Sequence, residues 1–190
     1  MEEQPAFVLL ITGPAGAGKS AAAAAWAAQQ APHTAHIQLD QVREFVIAGY
    51  ADPRDGWTPE AQRQYDIARE NCADMARRYV AAGISCVIDD AIFPAWGAVN
   101  YDGWRRLLLG VPHYLIVLLP SFAAVEEHNE GRHGRRLLAS EMLHTIYDMM
   151  RPWREQRRWP VIDSATLSVT ETALAIQQAL ETMREQGNPR

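Results

Sequence analysis

The chain has 190 residues, 48% of them apolar and 22% charged. That length supports one well-buried core and is short for two, so a single α/β domain over residues 1–190 is expected. A formal net charge of −5 excludes a dedicated binder of long duplex nucleic acid, which needs a dense basic face, but leaves room for a local cationic cluster around a small anion.

Glu2 and Glu3 stand where a secretory leader would carry positive charge, and the apolar run from Ala6 to Ile11 is too short to span a membrane. Cys72 and Cys86 lie in apolar patterns, as reduced cysteines do, and no metal-ligand spacing accompanies them; a soluble, cytoplasmic protein is expected. The first predicted strand covers 6–12, apolar almost throughout as in a central parallel strand. A glycine-rich turn leads into a helix over 19–30 that closes before Pro32. A second strand, 36–39, ends at Asp40, and a short helix follows to about Ala48. After the turn Asp52-Pro53-Arg54-Asp55-Gly56, Thr58 caps a long helix with Pro59 in its first position, and Gly83 ends it.

The third strand, 84–88, stops at Asp89-Asp90. A helix over 102–109 leads to a fourth strand, 113–119; Pro120-Ser121 then opens a helix that runs into Gly131-Arg132-His133-Gly134-Arg135-Arg136. A helix over 140–150, a short strand at 161–162 and a helix over 170–184 complete the pattern. Strand and helix alternate throughout, which predicts a mostly parallel sheet covered on both faces.

Gly13-Pro14-Ala15-Gly16-Ala17-Gly18-Lys19-Ser20 meets the spacing GxxxxGK[ST] in full, between an apolar strand and a helix, the setting this phosphate-binding loop (P-loop) requires. Its glycines let the backbone turn tightly and aim amide N–H groups at phosphate oxygens, with the helix dipole behind them. Lys19, the one lysine among 18 basic residues, is placed to reach the β- and γ-phosphates of ATP, and the Ser20 hydroxyl to ligate Mg²⁺.

Three further groups fall where an open α/β sheet binds its ligands, at the carboxyl ends of parallel strands. Asp89 is expected to hold Mg²⁺ through water beside Ser20; its neighbour Asp90 is a candidate on the substrate side, although acidic residues also end strands simply as turn formers. Asp40 is the choice for the carboxylate that orients an acceptor hydroxyl and takes its proton, against the alternative of a helix N-cap. Arg43, one turn further on, could reach an anionic or hydroxylated substrate or stand solvated. Arg132, Arg135 and Arg136, set among glycines, form an expected lid over about 126–140 that closes on the triphosphate. Tyr65, Arg69 and the loop Ala91 to Trp96 are weaker candidates for the acceptor pocket, and the arginines around Trp153 and Trp159 suggest packing as readily as binding.

Together the P-loop, Leu39-Asp40 with its following helix, Val87-Ile88-Asp89-Asp90 and the Arg-bearing stretch from Glu126 to Arg136 resemble the small P-loop kinases that include chloramphenicol phosphotransferase and the zeta toxins. The resemblance implies a P-loop NTPase fold, a three-layer α/β/α sandwich on a five-stranded parallel sheet. It also implies ATP with Mg²⁺, phosphorylation of a hydroxyl on a small-molecule acceptor, a general base at Asp40, and lid arginines at Arg132 and at Arg135 or Arg136. The spacing Asp40-x-x-Arg43 is also similar to that of polynucleotide kinases, so nucleic acid enters only as an end-phosphorylation substrate. The alternative from another class is a binding protein switched by ATP without turnover.

Overall fold

Val8–Thr12 forms strand β1 with all five side chains buried, because it is the middle strand of the sheet. The computed structural model describes residues 5–131, 134 and 137–187. In chain order the elements are β1, α1 (Lys19–Ala28), β2 (Thr34–Gln38), α2 (Leu39–Arg43), α3 (Pro59–Ala81), β3 (Ser85–Asp89), α4 (Tyr101–Leu107), β4 (His113–Leu118), α5 (Phe122–Glu130), α6 (Ser140–Met150), β5 (Val161–Ile162) and α7 (Val169–Glu185). The five strands lie in the order β2-β3-β1-β4-β5, and every pairing is parallel.

That order fixes the layers. The chain steps from β1 outward to β2 and then back to β3, so right-handed crossovers place α1 and α3 on opposite faces. On one face α1 packs against α7, tied by the Trp26 indole N–H donating to Gln177 at 2.9 Å. On the other, α3 lies over β2 and β3 and against α4. The result is a three-layer α/β/α sandwich with its buried core on both sides of β1. Among the described residues no helix is long and apolar enough to cross a membrane.

Element boundaries shift by one or two residues in several places, and β2 with the helix after it departs furthest from expectation. β2 begins at Thr34 and ends at Gln38, and the helix after it stops at Arg43 instead of reaching Ala48. Phe45 and Ile47 are 74% and 88% exposed. With no apolar face to dock, that segment has nothing to offset the cost of extending a helix. α3 starts as the sequence predicts, with Thr58 Oγ1 accepting from the Ala61 amide at 3.1 Å.

Cys72 on α3 and Cys86 on β3 are fully buried and unpaired, and burial pushes both thiols up to about 12. The folded thiols keep their protons above about pH 8.5, where unfolded ones lose them, so stability is full below that pH and declines toward pH 12. A disulfide reagent at pH 8 is therefore expected to leave the native protein unmodified and to titrate two thiols after unfolding in urea.

Candidate active site

Parallel pairing brings the ends of β1, β2, β3 and β4 to one edge of the sheet, and the loops that leave this edge carry the sequence-predicted groups. The P-loop leaves β1 at Gly13 and passes so close to β4 that a Cβ there would lie 2.0 Å from the Leu118 carbonyl oxygen, at a φ of +153°. At Gly16, φ is +88° and a Cβ would meet the Val125 oxygen of α5 at 2.7 Å. Only glycine fits either position.

α1 opens on Gly18 in the left-handed conformation, with no side-chain cap and no acidic residue in its first turn. Its first amides and its positive dipole end are left for an anion, which is the cradle a triphosphate needs. Lys19 bends back over the loop and donates from Nζ to the carbonyls of Gly13 at 2.9 Å and Pro14 at 3.1 Å. Pro14 also accepts from the Ala17 amide at 3.2 Å.

Asp89 is the last residue of β3 and pairs with Ile11 of β1, two residues before the P-loop begins at Gly13. Its Oδ2 accepts from the Ser20 hydroxyl at 2.5 Å, and its Oδ1 lies 2.8 Å from Nε2 of His36. A hydroxyl and a carboxylate this close are hard oxygen donors suited to Mg²⁺. Among the described residues no group of three or more His, Cys, Asp or Glu could hold a metal ion. One carboxylate completed by substrate phosphates is the usual protein share of a Mg²⁺ site.

Asp90 points the other way. Both of its oxygens accept from the Tyr65 hydroxyl, at 2.8 and 2.7 Å, and Oδ2 also accepts from the Trp104 indole N–H at 2.7 Å. It is 4% exposed, and burial raises its pKa above the usual carboxylate value against the opposing pull of Arg69 and its two donors. The Tyr65 hydroxyl is raised well above its ordinary value by burial and by Asp90. Arg69 is itself buried, its guanidinium over the rings of Tyr65 and Trp104, and it donates to the Asn100 carbonyl at 3.1 Å. Tyr65, Arg69 and Asp90 thus form a buried network behind the sheet edge, where sequence reasoning placed them against an acceptor.

Asp40 lies within the first turn of α2, whose N-cap is Gln38, so it does not cap the helix. Its carboxylate is 86% exposed and lies 3.3 Å from Arg43 Nη1. Arg43 is 6% exposed, neither solvated nor open, with its guanidinium over the rings of Tyr50 and Tyr65. From Tyr65 an aromatic wall continues through Trp57 and Trp96 to Phe93, with ring centroids 5.4, 4.6 and 5.2 Å apart in turn.

The lid arginines Arg132, Arg135 and Arg136 lie outside the described residues. The supports on either side are described: buried Asn129 donates to the Leu138 carbonyl at 2.9 Å and accepts from its amide at 3.0 Å. His128, whose place in the sequence has no partner spacing that marks a metal site or a triad, reaches the P-loop with Nδ1 3.0 Å from the Gly16 carbonyl. Trp153 and Arg154 resolve toward packing, donating to the carbonyls of Ile92 at 2.9 Å and Leu119 at 2.7 Å.

A family model described as an AAA domain matches residues 8–157. A search of curated protein sequences finds no match. Solved structures with the same fold include a sugar kinase from Janibacter sp. HTCC2649, 16% identical over 93% of this chain and 95% of that one, with a TM-score of 0.67. A gluconokinase from Sinorhizobium meliloti 1021 is 18% identical over 97% and 98%, with a TM-score of 0.62. Thymidylate kinase from Candida albicans is 13% identical over 95% and 93%, with a TM-score of 0.68. The architecture is that of the P-loop kinases.

Asp90→Ala strips the acceptor from Tyr65 and Trp104 and the countercharge from Arg69. It is expected to cost about 3–5 kcal/mol in urea unfolding, whereas Asp90→Asn, which keeps an acceptor oxygen, should cost less.

Proposed function

The chain belongs to the AAA domain family of P-loop proteins, and from that premise we propose that it is an ATP-dependent kinase transferring the γ-phosphate to a hydroxyl of a small molecule. The observation that carries the proposal is Asp40, an exposed carboxylate on the same sheet edge as the P-loop. An exposed carboxylate at that edge can accept the hydrogen bond of an acceptor hydroxyl and take its proton.

In this reading the P-loop amides and the N-terminus of α1 hold the triphosphate, and Lys19 exchanges the carbonyls of Gly13 and Pro14 for phosphate oxygens. Ser20 and Asp89 would hold Mg²⁺, which when bound would neutralise charge on the phosphate oxygens. Asp40 accepts the hydrogen bond of the acceptor hydroxyl. As the acceptor oxygen bonds to the γ-phosphorus, its proton passes to Asp40, the bond to the bridging oxygen breaks, and ADP leaves. Arg132, Arg135 and Arg136 supply cationic charge to the transferring group. Arg43 orients Asp40 and faces the acceptor side, and Trp57, Trp96 and Phe93 wall that side with aromatic surface. Asp90 serves the acceptor side through Tyr65, without touching substrate.

The names of the sugar kinase and gluconokinase neighbours put polyhydroxy compounds first among acceptors to try. A γ-phosphate transfer screen over sugars, nucleosides, antibiotics and oligonucleotides, with Lys19→Ala as blank, identifies the acceptor. Against that acceptor Asp40→Asn is expected to lower kcat about 10²–10⁴-fold, the contribution of a general base, while ATP affinity stays within a few-fold. Transfer at the wild-type rate in Asp40→Asn would remove Asp40 from the mechanism, and phosphorylation of oligonucleotides alone would favour the 5′-hydroxyl kinase reading.

A further inference from the structure

His36 is assigned no part by the P-loop pattern, yet its side chain makes one contact with the group that pattern depends on. It lies on the edge strand β2, opposite Val87, while Gln38 two residues on lies opposite Asp89. Residues two apart on a strand share a face, so His36 and Asp89 project to the same side as diagonal neighbours, within reach of a long side chain. The imidazole spans that diagonal: Nε2 is 2.8 Å from Asp89 Oδ1, and His36 is 13% exposed.

The carboxylate is then held from both ends. An ionised carboxylate only accepts, so the proton of each bond comes from the partner, from Ser20 Oγ at 2.5 Å on Oδ2 and from His36 Nε2 on Oδ1. One bond alone leaves an aspartate free to rotate about its terminal torsion, whose well is broad. Two bonds on different oxygens fix it.

We infer that His36 is a positioning residue for the metal-side carboxylate: it orients Asp89 so that Oδ2 faces Ser20 and the position where Mg²⁺ joins the triphosphate. The inference rests on the reading of Ser20 and Asp89 as the metal side of the site. Its signature is a change in how nucleotide binding depends on Mg²⁺, with no change in how nucleotide binds without it. A histidine that merely packed the edge of the sheet would affect both alike or neither. Groups that orient metal-binding residues are worth about 10–100-fold in metal affinity when removed.

The test titrates a fluorescent ATP analogue into the full chain at a series of Mg²⁺ concentrations and again in EDTA. Three variants are informative. His36→Gln places an amide N–H where Nε2 stood and is expected to keep the Mg²⁺ half-saturation within about threefold of wild type. His36→Asn is equally polar but one methylene short, and is expected to raise that value about 10–100-fold while affinity in EDTA stays within twofold. Ser20→Ala reports on the metal site itself. If Ser20→Ala moves the Mg²⁺ dependence and His36→Asn does not, the inference about His36 is wrong and the metal site stands. If neither moves it, the metal reading fails and the inference with it. Should His36→Asn not fold, His36→Leu, which fills the space without a donor, replaces it: a Mg²⁺ half-saturation raised about 10–100-fold with affinity in EDTA unchanged supports the inference, and an unchanged half-saturation overturns it.

Discussion

The pairing of β1 with β3 on one side and β4 on the other is the constraint from which the site follows. Ile11 opposite Asp89 sets a carboxylate beside the start of α1, and Thr12 opposite Val117 brings the end of β4 under the P-loop. A strand buried on both faces carries little register information of its own, since a slip of one residue exchanges one apolar side chain for another. The register is held at its end instead. Thr12 donates from its hydroxyl to the Ile92 carbonyl at 3.2 Å and accepts from the Ile92 amide at 2.7 Å, while Gly13 packs its bare Cα against the Leu118 oxygen. A slipped strand would break both contacts, so the residues that shape the P-loop also fix the sheet it grows from.

Strand geometry divides two adjacent aspartates. Successive side chains on a β-strand point to opposite faces, so Asp89 turns to the α1 side, where Ser20 and His36 meet it, and Asp90 to the α3 side, where Tyr65 and Trp104 enclose it. Two like charges at one strand end would repel if they shared a side. Instead each has its own donors. Asp90 gives the sheet edge a rigid back, because it holds Tyr65, which lies under Arg43, and Arg43 also contacts Tyr50 and Asp40.

What could be read from the sequence was local. The P-loop is contiguous, and its glycines announce backbone conformations that no other residue adopts; Asp40 and the pair Asp89-Asp90 stand at the ends of predicted strands, which gives their place at the sheet edge without any knowledge of partners. What could not be read was long-range. Nothing in the alternating stretch Thr34–Gln38 marks His36 as a partner of a residue 53 positions on, and nothing in α5 marks His128 as reaching back 112 positions to Gly16. Tyr65 and Arg69 looked equally suited to a pocket or a core, because helical spacing gives a face without saying what lies against it. Their burial became decidable only once Asp90 lay against that face. The early end of α2 has the same origin, since propensity gives no reason to stop at Arg43 and the absence of a surface for Phe45 and Ile47 does.

The P-loop and α5 are, in effect, one mechanical unit. Val125 crowds Gly16 from one turn of α5 and His128 bonds its carbonyl from the next, so a shift of the P-loop backbone at Gly16 moves α5 with it. At the far end of α5, Asn129 clasps Leu138 through the nitrogen and the oxygen of its side-chain amide, which sets where the chain returns to enter α6. The stretch from 131 to 137 therefore starts and ends at points referenced to the same loop that cradles phosphate.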